Sequence, residues 1–134
     1  MPDLRLPIGM ALALTVAGAP AFAAGKSTTG QFSGVAAYYD KNYHGRTAAG
    51  DQYDPAKFTA AHRTLPFGTR LKVTDRRSGR SVEVVVNDRG PFTRGRVLDL
   101  SLAAAKQLKM LGRGLTRVTA SIEGVTPRDE SAAR

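Results

Sequence analysis

The sequence predicts a mainly β domain, a small closed barrel of short strands with one or two short α-helices. Three observations predict it. Apolar and polar residues alternate with period two in several short runs, most cleanly at residues 70–74 and 81–86. Turn-forming residues separate the runs, as at Arg76-Arg77-Ser78-Gly79. Helical spacing is clear in one stretch only, through Leu102, Ala105, Leu108 and Leu111.

The elements follow in order. Residues 1–23 carry Arg5, an apolar run over 6–19, and Ala21-Phe22-Ala23 with small residues where a signal peptidase reads. This predicts a secretory signal peptide cut after Ala23. The other reading is an uncleaved anchor, but the run is short and broken by Gly and Pro, and a span needs about 20 apolar residues. Residues 24–31 are small and polar, a flexible lead-in. Residues 32–124 form the one domain, and 125–134, with Pro127 and several charges, form a disordered tail. Within the domain a strand is predicted over 32–39. A hairpin follows over 70–86, with Leu71, Val73, Val82, Val84 and Val86 inward and Lys72 and Glu83 outward. Short strands are predicted at 96–98 and 117–123, the latter alternating through Val118, Ala120 and Ile122. Ser101 suits a helix N-cap and Gly112 a left-handed stop. A second helical turn is predicted near residues 55–62.

Composition excludes several classes. At 134 residues there is room for one small domain. The absent cysteine excludes disulfides, a Cys-ligated zinc, a thiol nucleophile and a lipid on an N-terminal Cys. No metal or cofactor is predicted: His44 and His62 are 18 residues apart, and H-x-x-x-H, G-x-S-x-G, P-loop and G-x-G-x-x-G patterns are all missing. The net charge is +9, and it survives loss of residues 1–23, which remove one Arg and one Asp. Such a charge seeks a polyanion. For an exported chain that partner is carboxylate-bearing wall glycan rather than nucleic acid.

Four segments can carry chemistry. Asn87-Asp88-Arg89-Gly90-Pro91-Phe92 follows the apolar strand residues Val84-Val85-Val86. A carboxylate at a rigid strand end suits a catalytic acid, and an Asx turn explains the same residues equally well. Asp99 lies between two leucines at the helix entrance. There the dipole and backbone N–H groups would lower its pKa, which suits a base or an orienting group. His62 can carry or orient a proton, although a lone His is more often structural. The loop Tyr43-His44-Gly45-Arg46 through Asp51-Gln52-Tyr53 can line a sugar cleft or simply be surface.

Together these segments resemble the exported rare lipoprotein A family. The matching stretches are Gly34-Val-Ala-Ala-Tyr-Tyr39, His44-Gly-Arg-Thr-Ala-Ala-Gly50 with Tyr53-Asp54, Thr59-Ala-Ala-His62 through Leu65-Pro-Phe-Gly-Thr69, Asn87-Asp-Arg-Gly-Pro-Phe92 and Gly95-Arg-Val-Leu-Asp-Leu-Ser101. The resemblance implies a six-stranded double-psi β-barrel. It implies a lytic transglycosylase that cleaves MurNAc–GlcNAc bonds in peptide-poor peptidoglycan strands, with links to septal division proteins. Its acidic and histidine positions fall on Asp51, His62 and Asp88, with Asp99 near the same cleft. Tyr39, His44, Arg46, Tyr53, Asn87 and Arg89 are then the candidate glycan contacts. Two departures stand out. Asp51 replaces the family's usual Glu, which shortens its reach by about 1.5 Å. The lipobox Cys is missing, which implies a soluble periplasmic protein with no stable membrane anchor after signal cleavage. The competing readings are a non-catalytic, expansin-like glycan-binding module and a septal scaffold.

Overall fold

The computed structural model describes residues 30–126. They form six strands and one helix: β1 (Gly30–Tyr38), β2 (Thr59–Ala61), β3 (Thr69–Asp75), β4 (Ser81–Asp88), β5 (Arg96–Leu100), α1 (Leu102–Gln107) and β6 (Thr116–Val125). The strands close into a barrel in the order β1-β5-β2-β4-β3-β6. β1 with β5 and β2 with β4 are parallel; the other four pairings are antiparallel. This is the six-stranded, mainly β barrel expected. The signal peptide and nearly all of the lead-in and tail lie outside the described residues. At their inner edges β1 starts at Gly30, inside the expected lead-in, and β6 runs through Val125.

The period-2 pattern fills the barrel. Leu71 and Val73 of β3 and Val82, Val84 and Val86 of β4 are buried, as are Leu98 and Leu100 of β5 and Val118 and Ala120 of β6. The intervening Lys72 and Glu83 are exposed and face each other across the β3–β4 pair. Helix α1 closes the core with Ala104, Ala105 and Leu108.

Two local expectations fail. The helix does not run to Gly112. Leu108 caps it, and Lys109 takes the left-handed turn at φ 57. The Lys109 N–H then donates to the Lys106 carbonyl and the Met110 N–H to the Ala105 carbonyl, 3.0 and 3.1 Å. This is the hydrogen-bond pattern of a Schellman stop. Met110 is fully buried just past the turn, and that apolar anchor outweighs the strain of a non-Gly residue there. The second miss is 55–62. Its residues 59–61 form β2, whose register places Ala60 opposite Val86 on one side and Leu100 on the other. Ala60 and Ala61 read as helix formers locally, but two neighbouring strands take their backbone groups.

A buried charge ties the far end of the barrel. Asp75 is fully buried at the end of β3. Its carboxylate accepts from Arg113 Nη2 at 2.7 Å, the Thr116 hydroxyl at 3.0 Å, the Arg77 N–H at 2.9 Å and the Ser78 hydroxyl at 3.2 Å. Burial alone would raise its pKa. The bonds from Arg113, Arg77 and Thr116 outweigh that and hold it at about 2.

Candidate active site

The chemistry gathers where strands with parallel partners end together. Tyr39 follows β1, Asp88 ends β4, Asp99 lies in β5, and His62 follows β2. Asp99 pairs in register with Ala37 of β1 and Ala61 of β2, so β5 sits between the two.

Asp88 is the hub. Its Oδ2 accepts from the Tyr39 hydroxyl at 2.6 Å. Its Oδ1 accepts from the Ala48 N–H at 2.8 Å and from its neighbour Arg89 N–H at 2.9 Å. Its own carbonyl accepts from the His62 N–H at 3.1 Å. Only the Arg89 contact is local, so the side chain does more than close an Asx turn. Three donors converge on an acceptor-only carboxylate. Burial, and then the bond to Asp88, raise the Tyr39 hydroxyl far above its ordinary value, so Tyr39 stays a donor.

Asp99 has a different environment, and its expected lowered pKa is overturned. The free N–H groups at the start of α1 go elsewhere. Leu102 donates to the Tyr53 hydroxyl, Ala103 to the Pro55 carbonyl and Ala104 to Ser101 Oγ. Among the described residues Asp99 receives only Arg96 Nη2, at 3.3 Å. Burial raises its pKa, Arg96 opposes this, and the charge of Asp88 raises it further. Two neighbouring carboxylates therefore sit in contrasting surroundings, one bonded by three donors and one partly buried with a single cation. Gly90, at φ 125, brings the chain past them: a Cβ there would lie 3.9 Å from Asp99 Oδ2.

His62 supports the wall of the site. Its Nδ1 accepts from the N–H groups of Thr64 and Leu65, both at 3.1 Å, which fixes a neutral imidazole with its proton on Nε2. Burial lowers its pKa, and the charges of Arg63 and Arg89 add to this. An NMR titration should find its midpoint below 6.5 with Nδ1 unprotonated. Stability should fall as pH drops through the unfolded midpoint near 6.5, because the unfolded chain binds that proton more readily. A midpoint above 6.5 would contradict this geometry.

The remaining candidates divide. Tyr53 is only 5% exposed, stacked on Tyr39 at 4.5 Å between centroids. It orients Tyr39 and caps α1, and it is too buried to stack on a sugar. Tyr43, 37% exposed, closes an aromatic trio with both. Arg89 Nη1 donates to the carbonyls of His62 and Leu65, and its guanidinium lies 4.0 Å over the Phe67 ring. It braces the loop after β2. Arg46 is exposed and bonds the Gly50 carbonyl within its own loop, and His44 is exposed. Asp51 is exposed, and no hydrogen bond to its carboxylate is found among the described residues. Its turn, however, docks on the hub through Ala48 and through the Ala49 N–H to the Asn87 carbonyl, 3.2 Å. Asn87 Oδ1 is buried with no partner among the described residues. Phe92 is a residue that sequence reasoning missed. It is 79% exposed, and its ring reaches to 3.6 Å from a Cβ built on Gly90. Its only sequence signal is an aromatic after the Gly-Pro turn.

The barrel has relatives among known proteins. Residues 31–120 match the family described as Lytic transglycolase. A Nostoc protein named probable endolytic peptidoglycan transglycosylase RlpA is 53% identical over 96 residues, covering 69% of this chain and 26% of its own. A Synechocystis protein of the same name is 46% identical over 116 residues, covering 86% of this chain and 36% of its own. The chain thus spans roughly a quarter to a third of these relatives. Among solved structures, an apo expansin from Clavibacter michiganensis superposes with TM-score 0.55 at 23% identity, over 72% of this chain and 52% of that one. That likeness concerns the barrel alone.

Proposed function

The chain belongs to the lytic transglycolase family of barrel domains, and from that premise we propose that it is an endolytic peptidoglycan transglycosylase. The observation that carries this reading is the pair Asp88 and Asp99 at converging strand ends, one bonded by three donors and the other partly buried, with burial raising its pKa. Asp99, favoured in its protonated form by burial, donates a proton to the glycosidic oxygen between MurNAc and GlcNAc. The leaving sugar departs, and oxocarbenium character develops at the anomeric carbon. Asp88, oriented by Tyr39, Ala48 and Arg89, faces that charge and takes the proton of the muramic 6-hydroxyl as it attacks. A 1,6-anhydro ring forms and no water is consumed. Asp51, on the turn docked against Asp88, is a second carboxylate for the same proton transfers. His62 and Arg89 hold the loop that carries the site's wall. Phe92, with Tyr43 beside the half-buried Tyr39 and the buried Tyr53, offers aromatic surface to pyranose faces.

On this reading the protein works outside the cytoplasm, at the wall, with peptidoglycan strands as its partner and septal division proteins as its associates. Among the described residues no helix is long and apolar enough to cross a membrane.

The decisive experiment incubates the protein with peptide-free glycan strands and identifies the soluble products by mass spectrometry. Ends carrying 1,6-anhydroMurNAc are expected; strands bound but uncut would leave the second reading, an expansin-like binding module. The exposed, unbonded carboxylate at Asp51 is the observation that favours that reading. Activity should also decline as pH rises through the elevated pKa of Asp99, because the proton donor is then lost. Asp99→Asn should remove this alkaline limb together with most of the rate. A limb that survives in that variant would move the acid elsewhere.

A further inference from the structure

A second charged feature lies away from the active site. A groove of about 710 Å³ is lined by Arg76, Arg77, Arg113 and Arg117, with Val35 and Leu115 between them. Arg76 and Arg77 leave the sheet beside the start of β4, whereas Asp88 stands at the end of that strand. The path along the strand is about 20 Å. The proposed reaction uses none of these residues.

Three properties distinguish the groove from ordinary basic surface. Its floor is fixed: Arg113 is held by Asp75 and Thr116, and the Arg76 N–H donates to the Arg117 carbonyl at 2.9 Å. Its charge is uncompensated: the guanidinium groups of Arg76, Arg77 and Arg117 make no hydrogen bond or ion pair among the described residues. Asp75, which anchors the groove's floor, is fully buried and already paired to Arg113. Its lip is apolar: Leu115 is 51% exposed in the loop before β6, where Gly112 and Gly114 have open space around them. Unpaired guanidinium forks match phosphate oxygens. A leucine standing among them adds an apolar contact that a hydrated polyanion would not use. Headgroup phosphates beside acyl chains present both chemistries at one surface.

We propose that this groove docks the barrel on anionic phospholipid, with headgroup phosphates against Arg76, Arg77 and Arg117 and Leu115 entering the acyl boundary. Docked in this way, the barrel keeps its catalytic end away from the lipid.

The test uses the chain from Ala24 onward, which retains every strand of the closed barrel and removes the apolar residues 6–19. It is sedimented with phosphatidylcholine vesicles, with and without phosphatidylglycerol. Binding is expected only with phosphatidylglycerol, weakening as salt rises. Arg76→Gln with Arg117→Gln should lower that affinity roughly thirtyfold. Leu115→Ser should also weaken binding while leaving the salt dependence in place. Asp88→Asn should bind vesicles like the parent, so failure of the enzymatic reading is seen separately. Equal binding to both vesicles, or a double variant that binds like the parent with an unchanged circular dichroism spectrum, would overturn the proposal. So would binding to isolated wall in place of vesicles that is lost in the same double variant, since the occupant would then be wall polymer.

Discussion

Replacing Asp88 by Asn should abolish release of 1,6-anhydroMurNAc ends, with a loss of about a thousandfold or more. Removing a positioned acid–base group forfeits about 10²–10⁴ in rate, and here the same carboxylate also faces the developing positive charge. The substitution is a clean one because the site can absorb it. An Asn Oδ1 can still accept from the Ala48 and Arg89 N–H groups, and its amide can donate to the Tyr39 oxygen, reversing the 2.6 Å bond. The barrel should therefore keep its circular dichroism spectrum and its affinity for glycan strands while product disappears from the mass spectrum. Product at the parental rate would show that Asp88 only holds the loop over residues 47–51. The catalytic assignment would then pass to Asp51 or Asp99.

Asp75→Ala should destabilise the fold by about 3–5 kcal/mol, the range for removing one partner of a buried ion pair. The Arg113 guanidinium would lose its counter-charge, and the Arg77 N–H and Thr116 hydroxyl their acceptor. For a domain of this size that is a large share of the whole stability, and it should show as a fall in the urea midpoint. Acid makes a related prediction. The folded pKa of Asp75 is about 2, below the ordinary 3.8. Its contribution is therefore complete above pH ~4 and is lost as pH falls toward 2. The shift corresponds to about 2 kcal/mol. Asp75→Asn should flatten this part of the stability profile. An unchanged acid transition would mean that another carboxylate controls it.

Much of this was readable from the sequence, and the limits have physical causes. Alternation at Leu71, Val73, Val82, Val84 and Val86 identified the hairpin because one face of each strand is buried. β2 was hidden because three residues of Thr-Ala-Ala carry no periodicity; its existence depends on neighbours from β4 and β5. The motif around Asp88 is visible in the sequence, but the donors to its carboxylate come from residues 39, 48 and 89. No local pattern joins those positions. The lowered pKa expected of Asp99 rests on helix electrostatics alone, and the structure reverses the sign because Tyr53, Pro55 and Ser101 take the donors first. Tyr53 and Arg89 are candidate glycan contacts in the sequence, whereas the fold buries Tyr53 and turns Arg89 onto the His62 and Leu65 carbonyls.

Barrel closure has a temporal consequence. β6 joins β1 to β3, pairing Gln31 with Ser121 and Val73 with Ala120. A chain that appears N-terminus first cannot seal the barrel until residue 125 is available. Non-local pairings of this kind form slowly. Tyr39 and Asp88, contributed by strands that are not neighbours, meet dependably only in the finished ring. A chain that still lacks β6 therefore carries every residue of the proposed reaction without the assembled site, and the proposed activity would begin with the last strand.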